Sequence, residues 1–324
     1  MLVQIGAYFL KRIRMNWINA FEILCYIIVA ILTFDISKKK NYGELGLLIS
    51  GAIAGFSLEL LAVRFTDIYH YSQDFYISIG FKPYQFPFFG GLMWGGISVC
   101  ALRIARKFNF DNFTTALVGG FMVVTMDLLL DVVAIRLNGG FWVWDGRPIT
   151  LDINHHMFMS VIWVNFLGYM FEVPAILYMT LKYWQKEHNK FNLFKSILIG
   201  FAGVIFVSIC SGISLFLNSI TDEWFAFLAF AILWVYILIV IIKNLVINRN
   251  YLTLSGKKDW TIIVFFGSLY TYCLLALISL DIVRLRPIYG FFAVLISLFS
   301  LFLSLVKIEN NKGNVYENSN KRNY

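Results

Sequence analysis

Apolar residues run along this chain in long, nearly unbroken stretches. They do not alternate with polar positions as they would in a half-buried strand. A helix needs about 20 apolar residues to cross a bilayer. Nine stretches reach that length, near 16–36, 45–65, 84–102, 114–135, 157–181, 194–217, 224–242, 260–280 and 288–306. A transmembrane β-barrel would instead alternate over about ten positions at a time. The pattern predicts an all-α, polytopic membrane bundle of eight or nine helices. The tail from Lys307 to Tyr324 is polar and rich in asparagine, and reads as disordered.

Composition agrees. Of 324 residues, 59% are apolar and 14% charged, against about 45–50% and about 25% in soluble domains. A soluble enzyme, a disordered chain and a secreted disulfide scaffold are excluded. The net charge is +8, which in a soluble protein would raise nucleic acid as a partner. Here the basic residues cluster between apolar runs, as at Lys38–Lys40, Arg103/Arg106/Lys107, Lys186/Lys190 and Lys257/Lys258. That is the pattern of the positive-inside rule, so no nucleic-acid partner is expected. The loops after the odd-numbered helices, with the tail, carry twice the Lys and Arg of the other side. This places the C-terminus in the cytoplasm and the N-terminus outside, against the local cluster Lys11, Arg12 and Arg14. The cluster precedes an apolar run without a clear cleavage site, which is read as the first spanning helix. Cys25, Cys100, Cys210 and Cys273 are scattered through apolar runs and read as packing residues. The glycine pairs Gly90-Gly91, Gly95-Gly96 and Gly119-Gly120 read as sites of close helix packing.

With charges so scarce, each carboxyl inside an apolar run becomes a functional candidate. Asp127 and Asp131, in TALVGGFMVVTMDLLLDVVAIRL, stand four residues apart, on one helix face. Two like charges that close in low dielectric do not both ionise readily, which provides a proton donor at neutral pH. The structural alternatives are a polar pair bonded to a neighbouring helix and a salt bridge to Arg136. Glu59, in GAIAGFSLELLAVRF, has no partner on its own helix. Glu172 is the fourth buried carboxyl, and Pro174 is expected to kink its helix. Two aromatic-rich loops, Arg64–Tyr76 and Asn138–His156, read either as an interfacial belt or as a stacking wall for a conjugated or cationic ligand. Trp142 and Trp144 alternate as on an extended segment, so they face the same way. His155 and His156 are adjacent, with no HxxxH or HExxH spacing, and read as loop histidines rather than metal ligands. His70 and His188 carry no motif, and Asp281, Arg284 and Arg286 read as a solvated or salt-bridged turn.

From Ser57 to about Glu172 the chain resembles the carotenoid-biosynthesis membrane protein family that includes the carotenoid hydratases of bacteria and archaea, bisanhydrobacterioruberin hydratase among them. Four pieces carry the resemblance in order: SLELLAVRFTDIYHYS with Glu59, Tyr69 and Tyr71; PYQFPFFGGLMWG with Pro87 and Trp94; MDLLLDVVAIRLNGGFWVW with Asp127, Asp131, Trp142 and Trp144; and SVIWVNFLGY with Val161, Asn165, Phe166 and Gly168. Val132 stands where the family has proline, and Ser160, Ile162 and Tyr169 replace its Gly, Pro and Trp. The resemblance divides the chain into a hydratase-like region (1–190), additional spanning helices (191–306) and the tail (307–324).

What the resemblance implies is addition of water across a terminal isoprenoid double bond, without metal or other cofactor, on a lipophilic carotenoid or polyprenyl substrate in a bacterial or archaeal cytoplasmic membrane. Other carotenoid-pathway membrane enzymes are implied as neighbours. Asp127 and Asp131 would be proton donor and anionic partner, with Glu59 a second acid/base or the group that orients water. Tyr69, Tyr71, Trp94, Trp142 and Trp144 would line the cation and polyene, and Asn165 would hydrogen-bond a carboxyl or the water. A cyclase using the same acids, a small-molecule or proton-coupled transporter and a structural subunit are the competing expectations.

Overall fold

In the computed structural model, residues 16–66, 68–184, 191–254 and 259–309 are described. Among them, nine helices are long and apolar enough to cross a membrane, and the protein is an all-α integral membrane bundle. They are α1 (Trp17–Lys38), α2 (Tyr42–Phe65), α3 (Phe88–Ala105), α4 (Asn112–Ala134), α5 (Trp163–Trp184), α6 (Leu193–Ile220), α7 (Trp224–Ile247), α8 (Trp260–Ser279) and α10 (Pro287–Leu305). A four-residue α9 (Ile282–Leu285) precedes α10. The Lys11/Arg12/Arg14 cluster, Lys186, His188, Lys190, Lys257/Lys258 and the tail from 310 lie outside the described residues.

Local chemistry sets several helix starts. The side chains of Asn16, Asn41, Asp111 and Asn192 each accept a backbone N–H from the first turn of α1, α2, α4 and α6, satisfying donors that a helix start leaves free.

Two expected spans begin too early. Residues 84–87 are not helical: β3 (Tyr84–Pro87) pairs with β2 (Ser78–Phe81) in a hairpin. Residues 157–162 likewise form β5 (Met157–Phe158) and β6 (Val161–Ile162). Both segments are apolar enough to pass for membrane helix, but Pro83 just before the first and Pro87 within it disfavour helix. The second turns at Met159 and Ser160, both with positive φ. The tail also starts later than expected, because β8 (Val306–Ile308) pairs with β7 (Leu252–Leu254).

α4 lies at the centre of the bundle, buried along nearly its whole length. α6 and α7 turn Ile205, Ile209, Phe216, Ile232 and Ile239 outward, as lipid-facing helices do. Glycines let the inner helices approach closely. A Cβ added to Gly95 on α3 would lie 2.1 Å from the Leu48 carbonyl oxygen on α2, and one on Gly51 of α2 would lie 2.8 Å from Gly95 Cα. On α4, Gly119 and Gly120 receive Leu177 and Pro174 of α5. The last helices join the same core. Tyr289 of α10 donates to the Leu128 carbonyl on α4 at 2.8 Å, and Tyr272 of α8 to the Trp17 carbonyl on α1 at 2.8 Å.

Candidate functional site

β1 (Tyr69–Tyr71) follows α2, and β4 (Trp142–Trp144) follows α4. The two strands pair antiparallel, with Tyr69 opposite Trp144 and Tyr71 opposite Trp142. Alternate residues of a strand share a face, so all four rings stand on one side of the ribbon. Tyr69 meets Trp144 edge-on at 5.1 Å and Tyr71 meets Trp142 at 6.0 Å. On its other face His70 pairs with Asp145 at 3.0 Å, a partner that sequence spacing did not show.

The aromatic face borders a cavity of about 110 Å³ among α1 to α5. Glu59 from α2, Trp94 from α3, Asp127 and Asp131 from α4, and Asn165 from α5 all line it, together with Tyr69, Tyr71, Trp142 and Trp144. Thus the expected acids and the expected substrate-lining residues come to one place, whereas Glu172 lies outside this lining. Phe21, Phe75, Phe89 and Phe141 complete the apolar wall, and no Lys, Arg or His among the described residues lines it.

Within this cavity Glu59 Oε2 accepts hydrogen bonds from Tyr69 at 2.5 Å and Tyr71 at 2.8 Å. Burial, then the adjacent Glu59, pushes both phenols well above their ordinary value, so both remain protonated donors. Asp131 Oδ2 accepts from Asn165 at 2.5 Å. Asp131 Oδ1 and Asp127 Oδ2 are buried without a hydrogen-bond partner. Arg136 does not pair with either aspartate. Its guanidinium donates to the carbonyls of Val132, Thr150 and Met159, and burial lowers its pKa to about 10. It ties the end of α4 to the segment that leads into α5, and among the described residues no cation pairs with the two aspartates.

A second cavity, of about 370 Å³, adjoins the first between α2, α5 and α6. Glu59, Tyr69, Trp94, Trp144, Asn165 and Tyr169 line both. Trp94 and Tyr169 stack at 5.0 Å, 26° from parallel. The second cavity is lined mainly by Leu58, Leu61, Phe65, Val207 and Leu215, and it holds Glu172, whose Oε1 is buried without a partner. Phe65 and Leu61 also lie on the outer surface of α2, so this cavity borders the lipid-facing side.

Two features of the site escaped the sequence. Glu22 on α1 is fully buried and accepts the backbone N–H groups of Tyr76 at 2.7 Å and Ile77 at 2.9 Å. Asn19 donates to the Asp74 carbonyl one turn away. Together they hold the loop that brings Phe75 into the cavity wall. The search for carboxyls within apolar runs that found Glu59 applies equally to Glu22. Tyr169, by contrast, carries no sequence signal beyond standing where the family has Trp.

Comparison with known proteins finds no match: no family model, no curated protein and no solved structure is significantly similar to this chain.

Proposed function

We propose that this protein is a membrane-embedded hydratase, adding water to a terminal carbon–carbon double bond of a carotenoid or other isoprenoid. The observation that carries the reading is the meeting of three carboxyls, Glu59, Asp127 and Asp131, with six Tyr and Trp rings in one cavity that no Lys, Arg or His among the described residues lines.

A trisubstituted alkene dissolves in lipid, and the second cavity provides a largely apolar path from the lipid-facing side to the carboxyls. Asp127 or Asp131 donates its proton to the less substituted alkene carbon, leaving a tertiary carbocation on the neighbour. The partner carboxylate and the faces of Trp142, Trp144, Tyr69 and Tyr71 stabilise the cation. Water attacks it, and Glu59, held by two phenols, takes the released proton. Asn165 fixes Asp131 in place. Passage of that proton from Glu59 back to the deprotonated aspartate, through water in the cavity that all three carboxyls line, restores the starting state, so each cycle adds one water with no net change in the protein.

Ring closure of a polyprenyl chain by the same buried acids is the competing reading. The excess of Lys and Arg at the opposite ends of the helices supports an orientation with the aromatic ribbon on the outer side and the C-terminus in the cytoplasm, and the resemblance implies a bacterial or archaeal cytoplasmic membrane.

Expression in a carotenoid-producing host, with pigments analysed by mass, tests the reading. Hydration adds the mass of one water to a pigment, whereas cyclisation leaves mass unchanged. A host with unaltered pigments and intact protein would overturn the assignment for carotenoids.

A further inference from the structure

A separate cluster of donors lies in the loops at the ribbon end of the bundle and shares no residue with either cavity. His155 and His156 sit in a bend rather than a helix, so their adjacency does not splay them apart. Their ring centroids are 3.8 Å from each other. Asp222, from the turn between α6 and α7, completes the group. One donor atom from each of His155, His156 and Asp222 falls within 4.8 Å of the other two.

Several contacts fix this arrangement. The His155 ring lies flat on Trp224, 5° from parallel at 4.4 Å. Its Nε2 is buried without a hydrogen-bond partner, and Asp222 Oδ2 stands 3.6 Å away. That is too long for a hydrogen bond, but close to the ~3.3 Å edge of a tetrahedron of ligands about 2.0 Å from zinc. His156 Nδ1 faces Glu223 Oε2 at 3.2 Å, and Glu223 is in turn paired with Arg147 at 2.9 Å. Carboxylates behind imidazoles commonly orient them toward a metal. Asp222 and Glu223 both have left-handed backbone, with φ of 49° and 63°, at two successive non-glycine positions. Among the described residues, the Asp222 carboxylate pairs with His155 alone.

We propose that His155, His156 and Asp222 bind one transition-metal dication of the Zn²⁺ class, with water in the remaining position. Two imidazoles and one carboxylate favour such ions over Ca²⁺ or Mg²⁺. The ion staples the loop between β4 and β5 to the α6–α7 turn, two segments otherwise joined at this point by surface ion pairs. The site is independent of the hydratase reading and survives its failure.

The test uses the untagged full chain in detergent, stripped with EDTA and titrated with ZnCl₂. Calorimetry is expected to show one saturable Zn²⁺ per chain, and thermal unfolding to show a rise in midpoint that EDTA reverses. CaCl₂ and MgCl₂ should give neither. His155→Ala and Asp222→Asn should each weaken binding about tenfold or more. Asp222→Asn is isosteric and exposed, so it preserves the readout if His155→Ala does not accumulate as folded protein. Absence of saturable binding in the unsubstituted chain, or undiminished binding in Asp222→Asn, would overturn the site.

Discussion

Asn165 on α5 donates its amide to Asp131 on α4 at 2.5 Å. The bond crosses between the two helices that bear the site and occupies one oxygen of Asp131, while the other remains without a partner, as does Asp127 Oδ2. Partnered and free oxygens are thus separated within one pair of carboxyls. In the proposed chemistry the free oxygens are those that meet substrate. Asp127→Asn and Asp131→Asn keep the shape and remove the proton, so each should lower hydration by about 10²-fold or more. Asn165→Ala, which only releases Asp131, should cost about tenfold. Pigment mass analysis with immunoblotting of the membrane fraction checks all three, and full activity with Asp127→Asn and Asp131→Asn would end the assignment.

Tyr69 and Tyr71 both donate to one oxygen of Glu59. If Glu59 takes the proton released by water, loss of one donor should slow turnover, and loss of both should slow it further. Tyr71→Phe should cost about 0.5–1.5 kcal/mol of stability, the worth of one hydrogen bond, because Tyr69 still donates to the same oxygen. Denaturation in detergent measures this loss, and product formation by the Tyr69→Phe/Tyr71→Phe pair measures the rate.

The same phenols predict the alkaline limb of stability. Their folded pKa values lie well above the usual value of about 10, through burial and then the nearby Glu59. Above pH 10 the unfolded chain has lost these protons and the folded chain still holds them, so stability falls as pH rises. The contribution is fully present below about pH 10 and is lost as pH climbs through the raised folded values. Thermal midpoints should therefore drop more steeply between about pH 10 and 12 in the unsubstituted chain than in Tyr69→Phe/Tyr71→Phe. Equal slopes would show that the two phenols do not titrate late.

How far the sequence revealed this arrangement depends on the kind of signal. Glu59, Asp127 and Asp131 were legible because charge is costly in lipid and their apolar surroundings made them conspicuous. The shared face of Trp142 and Trp144 followed from strand alternation. The pairing of Tyr69 with Trp144 did not, because two strands some 70 residues apart leave no periodic trace of their register. The spans were legible by length, yet residues 84–87 and 157–162 are equally apolar and fold as hairpins. Composition cannot separate a buried ribbon from a helix end. The convergence of Asp222 on His155 and His156 was hidden for a similar reason: the ligands come from different loops, and no local spacing records them.

Close packing of α2 on α3 carries part of the site, since Glu59 and Trp94 ride on these helices. Gly95 presses on the backbone of Leu48, where an added Cβ would sit 2.1 Å from the carbonyl oxygen. The obstruction is backbone, which cannot rotate away as a side chain can. Gly95→Ala should destabilise the protein by about 1–3 kcal/mol and lower activity by moving Trp94 relative to Glu59. At Gly168, where the nearest atom to an added Cβ is Ser211 Oγ at 3.9 Å, alanine should be tolerated. Thermal unfolding of the two variants side by side separates packing at the helix crossing from a general glycine effect.

At the other end of the bundle Arg103 on α3 holds three helices together. Its Nε and Nη2 bind Glu44 of α2 at 3.0 and 2.6 Å, and its Nη1 meets Asp35 of α1 at 2.8 Å and Asp259 before α8 at 3.2 Å. Arg103 and Glu44 are both buried, whereas Asp35 and Asp259 keep about a fifth of their side-chain surface exposed. Removing the arginine strands the Glu44 charge, so Arg103→Met should cost about 3–5 kcal/mol. Arg103→Lys should recover little, because an ammonium cannot reproduce the forked contact with Glu44 and reach Asp35 and Asp259 as well. Asp259→Asn, at a partly wet position, should cost about 1 kcal/mol or less. Glu44→Gln combined with Arg103→Met removes both buried charges and should be less damaging than Arg103→Met alone. A double-mutant cycle on detergent-solubilised protein reads these differences directly. A simple sum of the two single losses would mean that Glu44 and Arg103 stabilise the bundle independently, not as the buried pair their geometry forms.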